Sequence, residues 1–226
     1  MKKALKIISV ILAVVLVLAG SLAIWQRKNI ESIVVGIKES SEEIEKRRND
    51  NQMELIGQIN TKLQNPLREL TEEEKQKVAT GEMTVVDVYA EVFAEKETAE
   101  IESRPQEQKL PTKDEIISKY MSQLYKLQSE FTARAEATIS QGAGYYESIK
   151  EHPQDATARA NTITHFTPIV RSMEAECDRK VEAVIKELEK ELKAIGEETD
   201  ITRTIKATYA NEKQLKLSYY ANKYLK

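Results

Sequence analysis

The stretch Thr112–Phe131, TKDEIISKYMSQLYKLQSEF, decides the fold. Thr112 and Glu115 have the spacing of a capping box, in which each side chain accepts the other residue's backbone N–H at the start of a helix. Apolar side chains then recur every three or four positions, which is the period of an amphipathic helix. They are Ile117, Tyr120, Leu124, Leu127 and Phe131. The stretch therefore predicts a long helix that begins just after Pro111.

The same period continues to the C-terminus and predicts an all-α fold. We expect the first helix to end at Pro153 and a second helix to end at Gly196, with a third beginning at Thr199 or the next residue. Pro168 lies within the second helix and should kink or interrupt it, because proline lacks the amide hydrogen. Two helices of similar length with a short connection favour an antiparallel hairpin. Residues 112–226 are thus predicted to form an elongated helical hairpin or three-helix bundle.

A small helical hairpin is predicted over residues 65–93. Thr71 precedes three glutamates, which suit the positive end of a helix dipole, so Thr71 is a candidate N-cap. Gly81 suits the left-handed position that ends a helix. Thr84 and Asp87 resemble a second capping box. The stretch 94–111 that follows is rich in Glu, Gln and Lys and contains two prolines, so it predicts a flexible linker.

Residues 29–64 predict a stalk helix that continues from an N-terminal anchor. Ile30, Ile37 and Ile44 recur at the seven-residue spacing of a coiled coil, although over only two heptads. A polar stretch suggests an interruption of the stalk near Asn49–Asn51, and Pro66 should end it.

Residues 1–28 predict a transmembrane anchor. Ile7–Trp25 is a run of nineteen residues without a charge, which at about 1.5 Å per residue covers about one hydrocarbon core. Three lysines precede the run, and this bias favours a cytoplasmic N-terminus and a body outside the cytoplasm, as in an uncleaved signal anchor. The alternative is a signal peptide that is cleaved after Ala23. The uncleaved anchor is the favoured interpretation, and it predicts a single-pass protein of the cell membrane with its body outside the cytoplasm.

Charge and composition exclude several classes of function. The net charge is −3, and residues 29–110 hold 11 Lys/Arg against 19 Asp/Glu. Without a basic stripe carrying interleaved aromatic residues, nucleic-acid binding is not expected. The single cysteine, Cys177, excludes an intrachain disulfide and a multi-cysteine zinc site.

The residues with reactive side chains are interpreted as structural. His152 precedes a proline at a helix end, where its ring can bond a free carbonyl, and His165 is expected to pack beside Phe166. Cys177 falls in the apolar stripe of the second helix, where a small buried hydrophobe is the usual role. We expect no catalytic residue, cofactor site or metal site, because no nucleophile with a base and no phosphate-binding loop is recognisable.

Four tyrosines near the C-terminus are the candidate partner surface. They are Tyr209, Tyr219, Tyr220 and Tyr224. Packing in the core of the bundle is the default interpretation. A binding surface is the more specific alternative, because tyrosine is enriched at protein interfaces.

The region Met173–Tyr224 reads MEAECDRKVEAVIKELEKELKAIGEETDITRTIKATYANEKQLKLSYYANKY. It resembles the C-terminal helical region of uncharacterised membrane-anchored helical proteins of clostridial bacteria. The resemblance covers about half of the chain and implies a helical fold and a bacterial source. It implies no activity.

The sequence as a whole predicts a membrane-tethered, non-enzymatic interaction or scaffold module at the bacterial cell envelope. An alternative is a signal-relay subunit whose stalk passes a conformational change between membrane and bundle. An enzyme with an unrecognised site is a third alternative. The protein partner is not identifiable from the sequence, and self-association as a homo-oligomer is left open.

Overall fold

A computed structural model describes residues 23–103, 110–152 and 155–225, with side chains from 31–99, 110–152 and 155–223. The described residues form seven α-helices and no strand, so the predicted all-α class is confirmed. The helices are α1 Ala23–Lys38, α2 Ser41–Asn60, α3 Glu72–Thr80, α4 Val85–Ser103, α5 Lys113–Ile149, α6 Ala156–Ala194 and α7 Ile201–Leu225. Helices α5 and α6 pack antiparallel, which confirms the predicted hairpin.

The helix boundaries follow the predicted capping residues. The Thr71 hydroxyl accepts the N–H of Glu74 at 3.2 Å, and Glu74 accepts the N–H of Thr71 at 2.7 Å. The same reciprocal pairs join Thr84 to Asp87 and Thr112 to Glu115. Gly81 and Gly196 end α3 and α6 with φ of 76° and 78°, in the left-handed region that glycine adopts without strain.

The chain divides into two compact units, and one of them comprises Asn49–Glu130 and Cys177–Ala210. Its core draws apolar side chains from α2, α4, α5, α6 and α7. The members with no more than 2% exposure are Ile56, Ile59, Val88, Val92, Phe93, Ile116, Ile117, Met121, Tyr125, Ile185, Leu188, Leu192 and Ile201. Burying each such side chain contributes about 1.5–3 kcal/mol, so this core is the main source of stability in the unit.

The other unit comprises the described parts of Met1–Arg48, Phe131–Glu176 and Asn211–Lys226. Its apolar clusters are small. They consist of Ile33, Ile139, Leu217, Tyr220 and Ala221; of Tyr146 and Ala158; and of Phe166 and Val170. Both units combine helices from distant parts of the sequence, so the structure groups the chain differently from the predicted stalk, hairpin, linker and bundle.

The predicted stalk is interrupted, but not at the place that the sequence suggested. Helix α1 ends at Lys38 and α2 begins at Ser41, whereas no break occurs near Asn49–Asn51. Ser40 and Glu43 form a further capping box, with the Ser40 hydroxyl accepting the Glu43 N–H at 3.1 Å and Glu43 accepting the Ser40 N–H at 2.8 Å. This box starts a new helix two residues after α1 ends.

The predicted linker is also wrong over its first part, because α4 continues to Ser103. Lys96 on this helix donates to the carbonyl oxygen of Asn65 at 2.7 Å, and its Nζ lies 3.3 Å from the carboxylate of Asp114. These polar contacts hold a segment that has too few apolar residues to predict order. Residues 104–109 lie outside the described part of the chain.

Two further expectations concern Pro168 and the membrane. Helix α6 runs from Ala156 to Ala194 with Pro168 inside it, so the proline does not interrupt the helix.

Within residues 23–103, 110–152 and 155–225, no helix is both long and apolar enough to span a membrane. The predicted anchor Ile7–Trp25 lies almost entirely outside these residues.

Candidate interaction surface

The C-terminal helix α7 is positioned by hydrogen bonds to α1. The Ser32 hydroxyl donates to Oε1 of Gln214 at 2.7 Å, and the Ser218 hydroxyl donates to the carbonyl oxygen of Ser32 at 2.8 Å. Because later residues of α1 meet later residues of α7, the two helices run in the same direction here.

Asn222 joins the end of α1 to α7. Its Nδ2 donates to the carbonyl oxygens of Gly36 at 2.9 Å and Glu39 at 2.7 Å, and its Oδ1 accepts the Ser41 hydroxyl at 2.5 Å. The side chain is 6% exposed, so its bonds replace those it would make to water. The Gly36 carbonyl is among the last four of α1, which lack partners within the helix, and Glu39 directly follows the helix.

Gly36 permits the close approach of these helices. A Cβ atom at this position would lie 2.2 Å from the carbonyl oxygen of Ser218 and 2.7 Å from Cβ of Ala221. Any side chain would therefore overlap the α7 backbone, and only glycine fits without moving a helix. Helix α2 runs antiparallel to α7. Ser41 at its start meets Asn222, whereas the later residue Arg48 meets Glu212, which lies earlier in α7.

Tyr219 lies on the same part of α7 and is surrounded by cations. The guanidinium carbon of Arg48 lies 5.6 Å from the Tyr219 ring centroid, and the Nζ atoms of Lys216 and Lys223 lie at 6.0 and 5.6 Å. Arg48 is itself fixed by a 3.0 Å bond from Nε to Oε1 of Glu212, with both side chains mostly buried. We call these four residues, Tyr219, Arg48, Lys216 and Lys223, the Tyr219 surface.

The chemistry of the Tyr219 surface suits recognition of an anionic group. The ring is half-buried and Lys223 is exposed, so both an aromatic face and a positive charge border solvent. Cations near a tyrosine ring are attracted to its face by about 0.5–1 kcal/mol each at exposed sites, which favours side-chain conformations close to the ring without fixing them. Arg48, which Glu212 holds in place, loses less entropy on binding than a flexible lysine does.

The other predicted tyrosines have different environments. Tyr220 is 5% exposed and packs with Ile33 and Leu217, with its ring 5.5 Å from that of Tyr219. Tyr209 belongs to the other unit, where its hydroxyl donates to Oδ1 of Asp178 at 2.6 Å. Burial, together with this hydrogen bond, raises the pKa of Tyr209 far above its ordinary value. The side chain of Tyr224 lies outside the described residues.

His165 and Cys177 make packing contacts, whereas His152 is exposed. The His165 ring stacks on that of Tyr145, with centroids 4.9 Å apart, and meets the edge of Phe166 at 5.0 Å. His152 is exposed, and its carbonyl oxygen accepts the N–H of Asp155 at 3.3 Å. Cys177 is half-buried against the larger core. Among the described residues no group of three or more His, Cys, Asp and Glu could hold a metal ion.

A surface pocket of about 410 Å³ in the unit with the larger core contains a hydrogen-bonded polar group. Oε1 of Glu191 accepts from Nζ of Lys119 at 2.8 Å and from the Tyr120 hydroxyl at 2.7 Å. Burial and the bond to Glu191 raise the pKa of Tyr120. Burial is the largest single influence and opposes charge on Glu191 and Lys119, but their hydrogen bonds and the neighbouring charges together outweigh it, so the pKa of Glu191 is lowered and that of Lys119 raised. These shifts favour the charged forms of Glu191 and Lys119 and the protonated phenol of Tyr120, so the three side chains form a hydrogen-bonded ion pair.

Part of the Tyr219 surface was missed in the sequence analysis. Lys216, Tyr219 and Lys223 have the i, i+3, i+7 spacing of one helical face, so the sequence contained a signal for these three. Arg48 is 171 residues away from Tyr219 in the chain, and no local pattern connects them. No protein-family model, no curated protein and no solved structure matches the chain.

Proposed function

We propose that this protein is a membrane-tethered, non-enzymatic interaction module whose partner binds at the Tyr219 surface. An N-terminal transmembrane anchor at residues 1–28 holds the helical body at the cell membrane, on the side away from the cytoplasm. The body acts by display, because its position is fixed by the anchor and its contact surface is ordered by the surrounding helices. The partner is a protein.

One observation carries the proposal: Tyr219 is half-buried beside Tyr220 and is contacted by Arg48, Lys216 and Lys223. Tyrosine and arginine are enriched among the residues that contribute most to binding at protein interfaces. Here the arginine is fixed by Glu212 and the helix carrying the ring is fixed by Asn222 and Ser218. The proposal therefore places an interface on rigid helices and requires no catalytic group.

Capture of a partner from solubilised native membranes tests the proposal. Tyr219→Ser removes the ring and should abolish capture while the helical circular dichroism spectrum is retained. Tyr145→Ser is the matched control, since Tyr145 is also half-buried in the same unit and stacks on His165. The combined variant His152→Gln, His165→Ala and Cys177→Ser should also leave capture intact. If the combined variant lost capture while Tyr219→Ser retained it, the result would instead indicate a metal or catalytic site.

The second candidate is a signal-relay subunit, and the contact between α1 and α7 favours it. α1 begins within the proposed anchor, and Asn222 of α7 donates to the carbonyl oxygens of Gly36 near the end of α1 and of Glu39 just after it. A rotation of α1 would therefore move α7 and Tyr219. If relay is the function, Asn222→Leu should abolish the response but preserve partner capture, whereas a display module should retain both.

A further inference from the structure

The surface pocket beside Glu191 has the size and the apolar lining of a small-molecule site. It lies between α4, the start of α5 and the end of α6, all within the unit that has the larger core. Its volume is about 410 Å³, which is in the usual range for ligand pockets. Ile116 is buried in its wall, Pro111 and Ile195 are half-buried, and Leu110 is 60% exposed. A bound apolar group would therefore shield Ile195 and Leu110 from water.

The charged side chains of this pocket differ in how they are bonded. Lys119 and Glu191 form the ion pair described above, so their charges offset each other. Glu115 is 5% exposed, and its carboxylate accepts the N–H of Thr112 in the capping box of α5. Glu97 is half-buried on α4, and none of the described residues forms a hydrogen bond or an ion pair with its carboxylate. Glu97 is thus the acceptor that the pocket offers to a ligand, and we call the site the Glu97 pocket.

The charge balance of the Glu97 pocket favours a cationic ligand. Its described lining contains three carboxylates and one ammonium group, so an anion would be repelled. A ligand ammonium donates a charge-assisted hydrogen bond to Glu97, which is stronger than a bond between neutral groups. A metal ion fits less well, because no three His, Cys, Asp or Glu residues in the described part of the chain are grouped to hold one. A metal ion would also leave the apolar wall of the pocket without a contact.

We propose that the Glu97 pocket binds an organic cation that carries an apolar group, of the class of arylalkyl amines. The ammonium group donates to the Glu97 carboxylate, and the apolar group lies against Leu110, Ile116 and Ile195. The site goes beyond the proposed function, because the Glu97 pocket and the Tyr219 surface belong to different units. Its test therefore measures the binding of a small ligand and not the capture of a partner.

Methyl NMR of the full chain in lipid nanodiscs tests the site, with phenethylamine as the probe and phenethyl alcohol as its neutral counterpart. The amine should shift the methyl signals of Ile116 and Ile195 in a saturable way and leave unchanged the signal of Ile185, which lies in the core of the same unit. Because only the amine has a charge to pair with Glu97, it should bind about tenfold more tightly than the alcohol. Equal affinities for the two probes, no saturable shift at Ile116 and Ile195, or equal shifts in all three signals would overturn the proposal.

Glu97→Gln provides the second arm of the experiment. The substitution keeps the shape of the side chain but removes its charge, so the affinity for phenethylamine should fall to about that for the alcohol. Glu91→Gln is the matched control, because Glu91 is exposed on the same helix and does not line the pocket, and it should leave the affinity unchanged. Ala194→Trp places a large side chain at an exposed position of the lining and should block both probes. Unchanged binding of the amine to the Glu97→Gln variant, or an equal loss in the Glu91→Gln variant, would show that the cation does not contact Glu97 and would overturn the site.

Discussion

Replacing Asp114 by alanine should be among the most destabilising single changes in this chain. Asp114 is 2% exposed and accepts the backbone N–H groups of Gln64 and Asn65, both at 2.8 Å. Its carboxylate also lies 3.3 Å from Nζ of Lys96, whose side chain is 11% exposed. The substitution therefore leaves two backbone donors without their acceptor and removes the carboxylate beside a mostly buried cation, which keeps its bond to the Asn65 carbonyl.

The magnitude follows from these contacts. Hydrogen bonds to a charged group contribute about 1.5–3 kcal/mol each, and removing one partner of a buried ion pair costs about 3–5 kcal/mol. The contributions are not additive because they share one carboxylate, so we expect a total loss of about 3–5 kcal/mol. For a protein of this size, that loss corresponds to a fall in Tm of about 6–20 °C.

Thermal unfolding of the full chain in detergent, followed by helical circular dichroism, measures the effect of Asp114→Ala. The control is Asp50→Ala, because Asp50 is exposed, and a surface change of this kind should alter stability by about 0.5 kcal/mol at most. If both variants unfold at the same temperature, the contacts of Asp114 do not stabilise the fold, and the reasoning from burial is refuted.

Three further predictions test other parts of the fold. Leu188→Ala, at a side chain with 0% exposure, should cost about 2–5 kcal/mol in urea-induced unfolding, and a loss below about 1 kcal/mol would contradict the described core. The bond from Arg68, with the N–H of Thr71, holds the pKa of Glu74 at about 2, below its ordinary 4.5. The stabilisation by the Glu74 carboxylate is therefore complete above pH 4.5 and lost as pH falls towards 2. Glu74→Gln should weaken this pH dependence of stability, and an ordinary pKa for Glu74 by NMR would refute its bond to Arg68. Gly36→Ala should destabilise the unit that contains α1 by about 1–3 kcal/mol, because Cβ overlaps the Ser218 carbonyl, and a neutral effect would show that the helices are further apart.

The local features of the fold were predictable from sequence. The capping boxes at Thr71, Thr84 and Thr112 depend on side chains three residues apart, so they can be recognised without tertiary information. Ser40 and Glu43 follow the same rule, but the apolar heptad spacing continues across them, so the interruption was expected at the polar residues Asn49–Asn51 instead. The break at this box could therefore have been predicted by giving the cap more weight than the spacing.

The grouping of the helices was not predictable in the same way. Ser32 bonds to Gln214 and Ser218, more than 180 residues later, and no pattern in either segment identifies the other. The tyrosine cluster shows a related limit. Tyr219 and Tyr220 are adjacent and so point to different sides of α7, which leaves one half-buried and the other in the core.

The most direct test of the interaction module is site-specific photo-crosslinking in intact native membranes. A photoreactive phenylalanine analogue at position 219 should form a discrete adduct with one partner protein, because the Tyr219 surface is the proposed interface. The same analogue at position 145, half-buried in the same unit, should not form that adduct. No adduct at position 219, or the same adducts from both positions, would contradict the central claim.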